Sequence, residues 1–539
     1  LFFLGILISD AGAKPDVRII TGNPYDFRPS NLDAVIKAQI QLNANNINAW
    51  VQNTGTFNQD IRTTNTPGFE WPKGSAKFAI FTAGLSIGTY INGNLRLGNA
   101  SYNGEYAPGY VDQTIPTDPK FKTSSIFKLY RVVAGDNAAT NPDYANWGLM
   151  VPYGAPYIDV DGNQQFNPLV DRPGIKDASQ TIFVCLTDAD PSNHTSSEGF
   201  SGGTLPIFAE THLTLWAYTT PGLEDLQFVN WVVINKSGRN WDSTHFGVVV
   251  DPDLGDANDD YIGCDLNRNM GYCYNADNID PIYGTGPPAS GMDFFRSPII
   301  PDATPGAADT SYFPPGSENR VIKPGYRQLG LTSFVYFTNS GNAGITCEQD
   351  PSSAPSQAYN YLTGIKKDGT PWLDASVNPP VPTKFCYPGD PDQLSGWTEY
   401  TGVIKNCGGL TSGNTEASPP GDRRFIFNSG AKSFTVAPGD TQNIVLAQFV
   451  AQGSDNKKSV TKLKGNSDIA QKVFDLNFKV IPPPPPPVVS VSYKPNSTIG
   501  TVDVTFSWGD VSEQYNYKDQ LFNQGTYKFQ GYEIYEIKK

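Results

Sequence analysis

HLTLWAYTTPGLEDLQFVNWVVIN, residues 212–235, is where the fold declares itself. Its two runs, 212–218 and 226–235, are rich in the β-branched and aromatic residues that suit a pleated, half-buried surface, and turn residues bound both. Working outward, 181–186 and 246–250 have the same make-up, so 180–250 reads as a succession of strands. Further out, 77–81 and 85–91 are apolar runs, and Asn92-Gly93-Asn94 after Ile91 is a hairpin signal. Residues 266–430 read mostly as loop, with isolated strands at 332–337 and 424–427. A strand, turn and strand follow at 433–436, Pro438-Gly439-Asp440 and 443–451. One helix comes next, with Ser454-Asp455 as its cap and Val460, Leu463, Ile469 and Val473 on one apolar face around Gly465.

The composition agrees with short strands joined by long loops. Among 539 residues, 52 are Gly and 44 are Pro, and only 17% are charged. The formal net charge of -14 argues against a general nucleic-acid binder or a protein that docks on anionic lipid, both of which need a basic face. It suits a surface that holds cations.

The acidity is concentrated. Asp251, Asp253, Asp256, Asp259, Asp260 and Asp265 all fall within DPDLGDANDDYIGCD. So many carboxylates repel one another unless a cation neutralises them. Hard oxygen ligands on a Gly- and Asn-containing loop suit Ca²⁺. A second loop, with Asp159, Asp161 and Asn163 at alternating positions and Asp171 after them, has the same character. It resembles the start of an EF-hand loop, but Gly162 is out of place for a true one and Val170 stands where the bidentate Glu would be. Ca²⁺ is therefore the expected cofactor at these ten residues.

Residues 1–13, an apolar run followed by Ala11-Gly12-Ala13, read as the end of a secretory signal peptide. Six cysteines in an exported chain permit disulfides. Cys264 with Cys273 is the first expected pair, and Cys386 with Cys407, or either of these with Cys347, the second. Residues 14–480 form the large β-rich region. The prolines within 481–488 make a stiff linker. Residues 489–539 read as a partial sandwich module, with an early-strand Trp and a later strand at 531–535.

Several segments together carry a resemblance: Gly68-Phe69-Glu70-Trp71-Pro72-Lys73-Gly74, 159–171, 251–265, Val436-Ala437-Pro438-Gly439-Asp440, and the Pro run leading to Phe529-Gln530-Gly531-Tyr532. They resemble large exported bacterial cell-surface proteins of the type IX secretion kind, which carry fibronectin type III-like modules. The sorting domain typical of those proteins is not read in this sequence. The resemblance implies an extracellular or cell-surface place and no catalytic residue.

Catalytic readings are thinner. Glu210 and Glu224 are free carboxylates of the type a glycosidase uses, but single carboxylates on a strand and a loop are common. His194, His212 and His245 are the only imidazoles, and a Ser-His-Asp site would need one of them. Phe200-Ser201-Gly202-Gly203 has a superficial likeness to a serine nucleophile loop. His212, beside Trp216 on an alternating strand, reads as a packed side chain. The expected fold is mainly β: a large β-sandwich-type region with long loops, a Pro-rich linker and a partial fibronectin type III-like module. The expected function is that of an extracellular structural or adhesive protein, stabilised by calcium and of a kind that builds a surface layer or filament. Its expected partners are further copies of itself, other cell-surface proteins and glycans, with no nucleic acid and no membrane span. The alternative is a secreted hydrolase or carbohydrate-binding protein.

Overall fold

The computed structural model describes residues 37–62, 66–339, 346–351, 354–479, 485, 487–496, 501–518 and 526–532. The export signal expected at 1–13 lies outside the described residues, as does most of the Pro run at 481–488. The fold is mainly β, with antiparallel sheets in a sandwich-type arrangement.

The longer strands of the two main sheets are, in chain order, β1 (Thr82–Ile91), β2 (Asn94–Gly98), β3 (Tyr130–Val133), β4 (Gln180–Thr187), β5 (Ala209–Ala217), β6 (Leu226–Asn235), β7 (Asp242–Asp251), β8 (Asp260–Asp265), β9 (Met270–Asn275), β10 (Ala289–Arg296), β11 (Ser333–Thr338), β12 (Arg423–Gly430) and β13 (Thr441–Ala451), and the two-residue strand Ala107–Pro108 also pairs with β4. The larger sheet has the order β3-β4-β5-β6-β13-β10-β9-β8, and the smaller one β11-β12-β7-β1-β2. Both are antiparallel throughout. Asn92 and Gly93, both at positive φ, form the two-residue turn between β1 and β2, as a right-twisted hairpin requires.

The larger sheet is buried on both faces, and the parity of each strand shows how. On β6, Val229, Trp231 and Val233 join the core shared with the smaller sheet, whereas Leu226 and Phe228 point the other way. On β13, Ile444, Leu446 and Val450 face the shared core, and Val445, Ala447 and Phe449 face outward. Helix α2 (Asn456–Asp475) covers that outer face with Val460, Leu463, Ala470 and Val473. Asp455 caps it, accepting from the backbone N–H groups of Lys457 and Lys458. Trp147 and Met150 cover the outer face near β3 and β4. The sheets approach the flanking chain closely. A Cβ on Gly84 of β1 would lie 1.6 Å from the backbone oxygen of Ala100, so only glycine fits there.

Within 266–430, β9 and β10 correct the loop reading, since both are strands of the larger sheet. Burial on both faces removes the polar alternation that would have revealed MGYCYN and ASGMDFFR as strands. The rest of the region is short ladders, among them Ala308–Tyr312 with Arg320–Pro324 and Trp372–Asp374 with Val381–Thr383. A shorter helix, α1 (Pro355–Leu362), buries Ala358, Tyr361 and Leu362.

Beyond the linker, Val489–Asn496 pairs with Thr501–Trp508. The register puts Val489, Val491 and Tyr493 on one face with Trp508, Phe506 and Val504, and serines, Lys494, Asp503 and Thr505 on the other. The apolar face is open, with Tyr493 at 70% and Phe506 at 51% exposure. Of the strand expected at 531–535, Gly531 and Tyr532 are outside any strand and 533–535 lie outside the described residues.

Candidate metal centres

The acidic run does not act as one loop, because its second half is strand β8. Pairing of β8 with β9 fixes alternate side chains on opposite faces, so the six aspartates separate into different environments.

Asp251 closes β7, and Asp253 follows at φ 42°. Asp422, immediately before β12, comes to meet them. One oxygen from each of the three carboxylates lies within 4.8 Å of the others. Two oxygens on one Ca²⁺, at 2.3–2.6 Å each, can be no more than about 5 Å apart, so the group is of the right size. Asp251 Oδ2 accepts from the Tyr102 hydroxyl at 2.8 Å and from Arg424 Nε at 3.2 Å. Arg424 Nη1 lies 2.8 Å from Asp422 Oδ1. The Oδ1 atoms of Asp251 and Asp253 are buried and receive no hydrogen bond. Burial pushes Asp251 up to about 6, partly countered by Arg424. Burial, and then the Asp251 and Asp422 charges, push Asp253 well above the usual carboxylate range. Three carboxylates against one guanidinium leave a deficit that one divalent cation would close.

The loop 159–171 is tied at its base by the pairing of Ile158 with Arg172. Asp159, Asp161 and Asp171 each bring an oxygen within 4.8 Å of the other two. Backbone donors set their directions. Asp159 accepts from Gly162 N at 2.8 Å and Gln164 N at 2.8 Å, and Asp171 from Val160 N at 2.8 Å and Asn167 N at 2.7 Å. Asn163 serves the loop itself. Its amide donates to Asp161 Oδ2 at 2.9 Å and its oxygen accepts from Gln165 N at 2.7 Å. Among the described residues no lysine or arginine pairs with the three carboxylates. Each carboxylate keeps lone pairs for a metal.

The other four aspartates have different partners. Asp256 and Asp259 gather with Asp280, which accepts from Asp256 N at 2.9 Å, and Asn275 Nδ2 donates to Asp259 at 2.5 Å. Burial, followed by the Asp280 and Asp256 charges, raises Asp259 to about 7. Asp260 is buried, with Leu254 N donating to it at 3.0 Å. Asp265 is compensated by Arg268 at 2.8 Å and Lys464 at 3.6 Å and faces away from the rest. Asp422 and Asp280 escape a sequence reading. Asp422 sits far along the chain in PPGDRR, with no local spacing of ligands to mark it.

Cysteine pairing departs from the first expectation, Cys264 with Cys273, and takes one of the forms of the second, Cys407 with Cys347. The disulfide is Cys347–Cys407, with Cα atoms 5.6 Å apart, and Cys264, Cys273 and Cys386 are free. Cys264 stands opposite Gly271 and Cys273 opposite Ile262, so the two are diagonal neighbours. Diagonal positions lie about 7–8 Å apart, beyond the reach of a disulfide. With Cys407 joined to Cys347, Cys386 is left as a core thiol.

Apart from Glu224, which is half-buried on the loop between β5 and β6, the catalytic candidates are built into the interior. His194 lies between Glu105 and Asp188, each at 3.4 Å, with its side chain 1% exposed. Burial opposes its charge, but Asp188 and Glu105 outweigh that and raise it to about 9. Glu210 accepts from Val111 N at 3.0 Å and lies 3.3 Å from His212. Gly84-Leu85-Ser86-Ile87-Gly88 has the spacing of a hydrolase nucleophile elbow, but Ser86 is fully buried inside β1, opposite Gly247, and not on a strand-to-helix turn. No protein family matches the chain, and no curated protein does either.

Proposed function

We propose that this chain is an extracellular structural or adhesive protein of the cell surface, whose long loops are pinned by Ca²⁺. The observation that carries the reading is the pair of carboxylate triplets, Asp159/Asp161/Asp171 and Asp251/Asp253/Asp422, in each of which negative charge outweighs the cationic partners. Ordering long loops costs conformational entropy, and a cation that ties their bases and tips together offsets part of it. Sites of few carboxylates belong to the weak class found in extracellular modules. The Cys347–Cys407 bridge fits an oxidising compartment.

The alternative, a secreted hydrolase or carbohydrate-binding protein, has one observation in its favour. A polar cleft of about 700 Å³ lies between α2, the β8–β9 turn and residues 388–396, lined by Asp265, Arg268, Asp390, Lys464 and Asp468. Against it, seven of the nine tryptophans are buried, which commits them to packing and not to stacking on sugars.

Light scattering and electron microscopy of the purified chain, with Ca²⁺ and then with a chelator, test the reading. Ordered polymers that dissolve on chelation are expected. A monomer under both conditions would defeat the structural assembly and bring the cleft forward.

A further inference from the structure

Lys366 is fully buried, an uncommon place for a residue that is almost never buried unless paired. It lies just beyond α1, and its Nζ has three neighbours. It forms an ion pair with Glu348 Oε1, it donates to Asn406 Oδ1 at 2.5 Å, and it lies 4.7 Å from the centre of the Trp372 ring. Glu348 and Asn406 are themselves 3% and 4% exposed. Glu348 Oε2 accepts from the Tyr336 hydroxyl at 2.9 Å, which in turn accepts from Tyr387 at 3.3 Å. Asn406 Nδ2 donates to the Pro371 carbonyl at 2.7 Å, so the carboxamide is fixed with its oxygen towards the ammonium. The disulfide explains the arrangement: Cys347 precedes Glu348 and Cys407 follows Asn406, so the bridge clamps the acid beside the amide.

This is a dry site holding an amine, an amide and a carboxylate in contact. The amide carbon lies no further than one C=O bond, about 1.2 Å, beyond the oxygen that Nζ already touches. The carboxylate of Glu348, in contact with Nζ, is placed to take a proton from it, and the freed amine is the nucleophile. We propose that Lys366 and Asn406 join in an intramolecular isopeptide bond, with Glu348 as the proton carrier. Nζ gives a proton to Glu348 and attacks Cγ of Asn406. The Nζ–Cγ bond forms and the Cγ–Nδ2 bond breaks. Glu348 returns the first proton to Nδ2, which leaves as ammonia, and keeps the second proton that Nζ sheds, so the ion pair ends as a neutral amide beside a neutral acid. Nothing is oxidised or reduced, and no co-reactant is needed. The product replaces a buried ammonium by a neutral amide, which relieves the cost of holding that charge away from water. Its two ends are 40 residues apart, so the cross-link closes a loop nested inside the one closed by the disulfide.

Peptide mapping of the purified full chain, reduced, denatured and digested with trypsin, tests this without any variant. The expected result is one branched peptide joining Lys366 to Asn406 in nearly every molecule, lighter than its two linear components by one ammonia, with no cleavage after Lys366. Linear peptides with cleavage after Lys366 and an intact Asn406 would overturn it. So would loss of ammonia from Asn406 without a link to Lys366, which is cyclisation onto its own backbone. In Glu348→Gln, with the disulfide present and a native circular-dichroism spectrum, the link is expected to form about a hundredfold more slowly or less. Formation at the wild-type rate would remove Glu348 from the reaction.

Discussion

Asp253 carries the electrostatic difficulty of its cluster in one side chain: it is held beside Asp251 and Asp422, and its Oδ1 is buried without a donor. Replacing it by Asn removes a repulsion and also a ligand, so the sign of the effect depends on calcium. Asp253→Asn is expected to melt higher than the unaltered protein in chelator and lower in saturating Ca²⁺, with affinity at that cluster down by roughly tenfold or more. Melting curves in both solutions check this, and curves that do not cross would remove the cation from the cluster. His245 gives a separate pH signal. Burial, then the Lys384 and Lys432 charges, hold it down at about 4, and it packs edge-on to Tyr359. The unfolded chain takes up a proton near pH 6.5 that the folded one refuses until about pH 4. Stability should therefore fall as pH drops through that window, by up to about 3 kcal/mol from this residue. Urea denaturation at pH 7 and pH 4.5 should show a smaller difference in His245→Gln than in the unaltered chain.

Helix α2 is the cover on the outer face of the larger sheet, and its contribution is packing more than propensity. Leu463 is fully buried there, whereas Gly465 is on the exposed side, which is why a glycine mid-helix is tolerated. Leu463→Ala is expected to cost about 2–5 kcal/mol, and Asp455→Ala, which leaves two backbone donors uncapped, about 1 kcal/mol. Denaturant midpoints measure both. A cost at Leu463 no larger than at the cap would mean that the helix is not docked on β13 and β10. The strands themselves are held by their neighbours on both faces. The same burial explains why β6 was legible from its Val, Ile, Phe and Trp content, while β9, with its glycine and tyrosines, was not.

The whole molecule combines a shared core between two sheets with long loops whose charges are gathered from distant parts of the chain. If both triplets bind Ca²⁺, each site should add about 2.7 kcal/mol at a hundredfold excess over its Kd. A calcium titration of the urea midpoint should rise and then follow the logarithm of concentration. A midpoint indifferent to Ca²⁺ would leave the acidic loops as solvated turns. The apolar face of the hairpin at 489–508 stands open on the same chain, a feature to be covered before such a module is stable in water.

Local chemistry reaches a long way in this protein. The β class, the strands around 180–250, the Asn-Gly hairpin, the capped helix and the acidity of both loops follow from residue type and near-neighbour spacing, because turn geometry, capping and pleat are short-range effects. What joins Asp422 to Asp251, separates Asp265 from Asp253, pairs Cys407 with Cys347 and presses Lys366 onto Asn406 is long-range strand order. A chain position carries no local mark of which distant residue the sheet will bring against it. Those contacts are settled when the two sheets bury their shared core, by packing that no window of sequence contains.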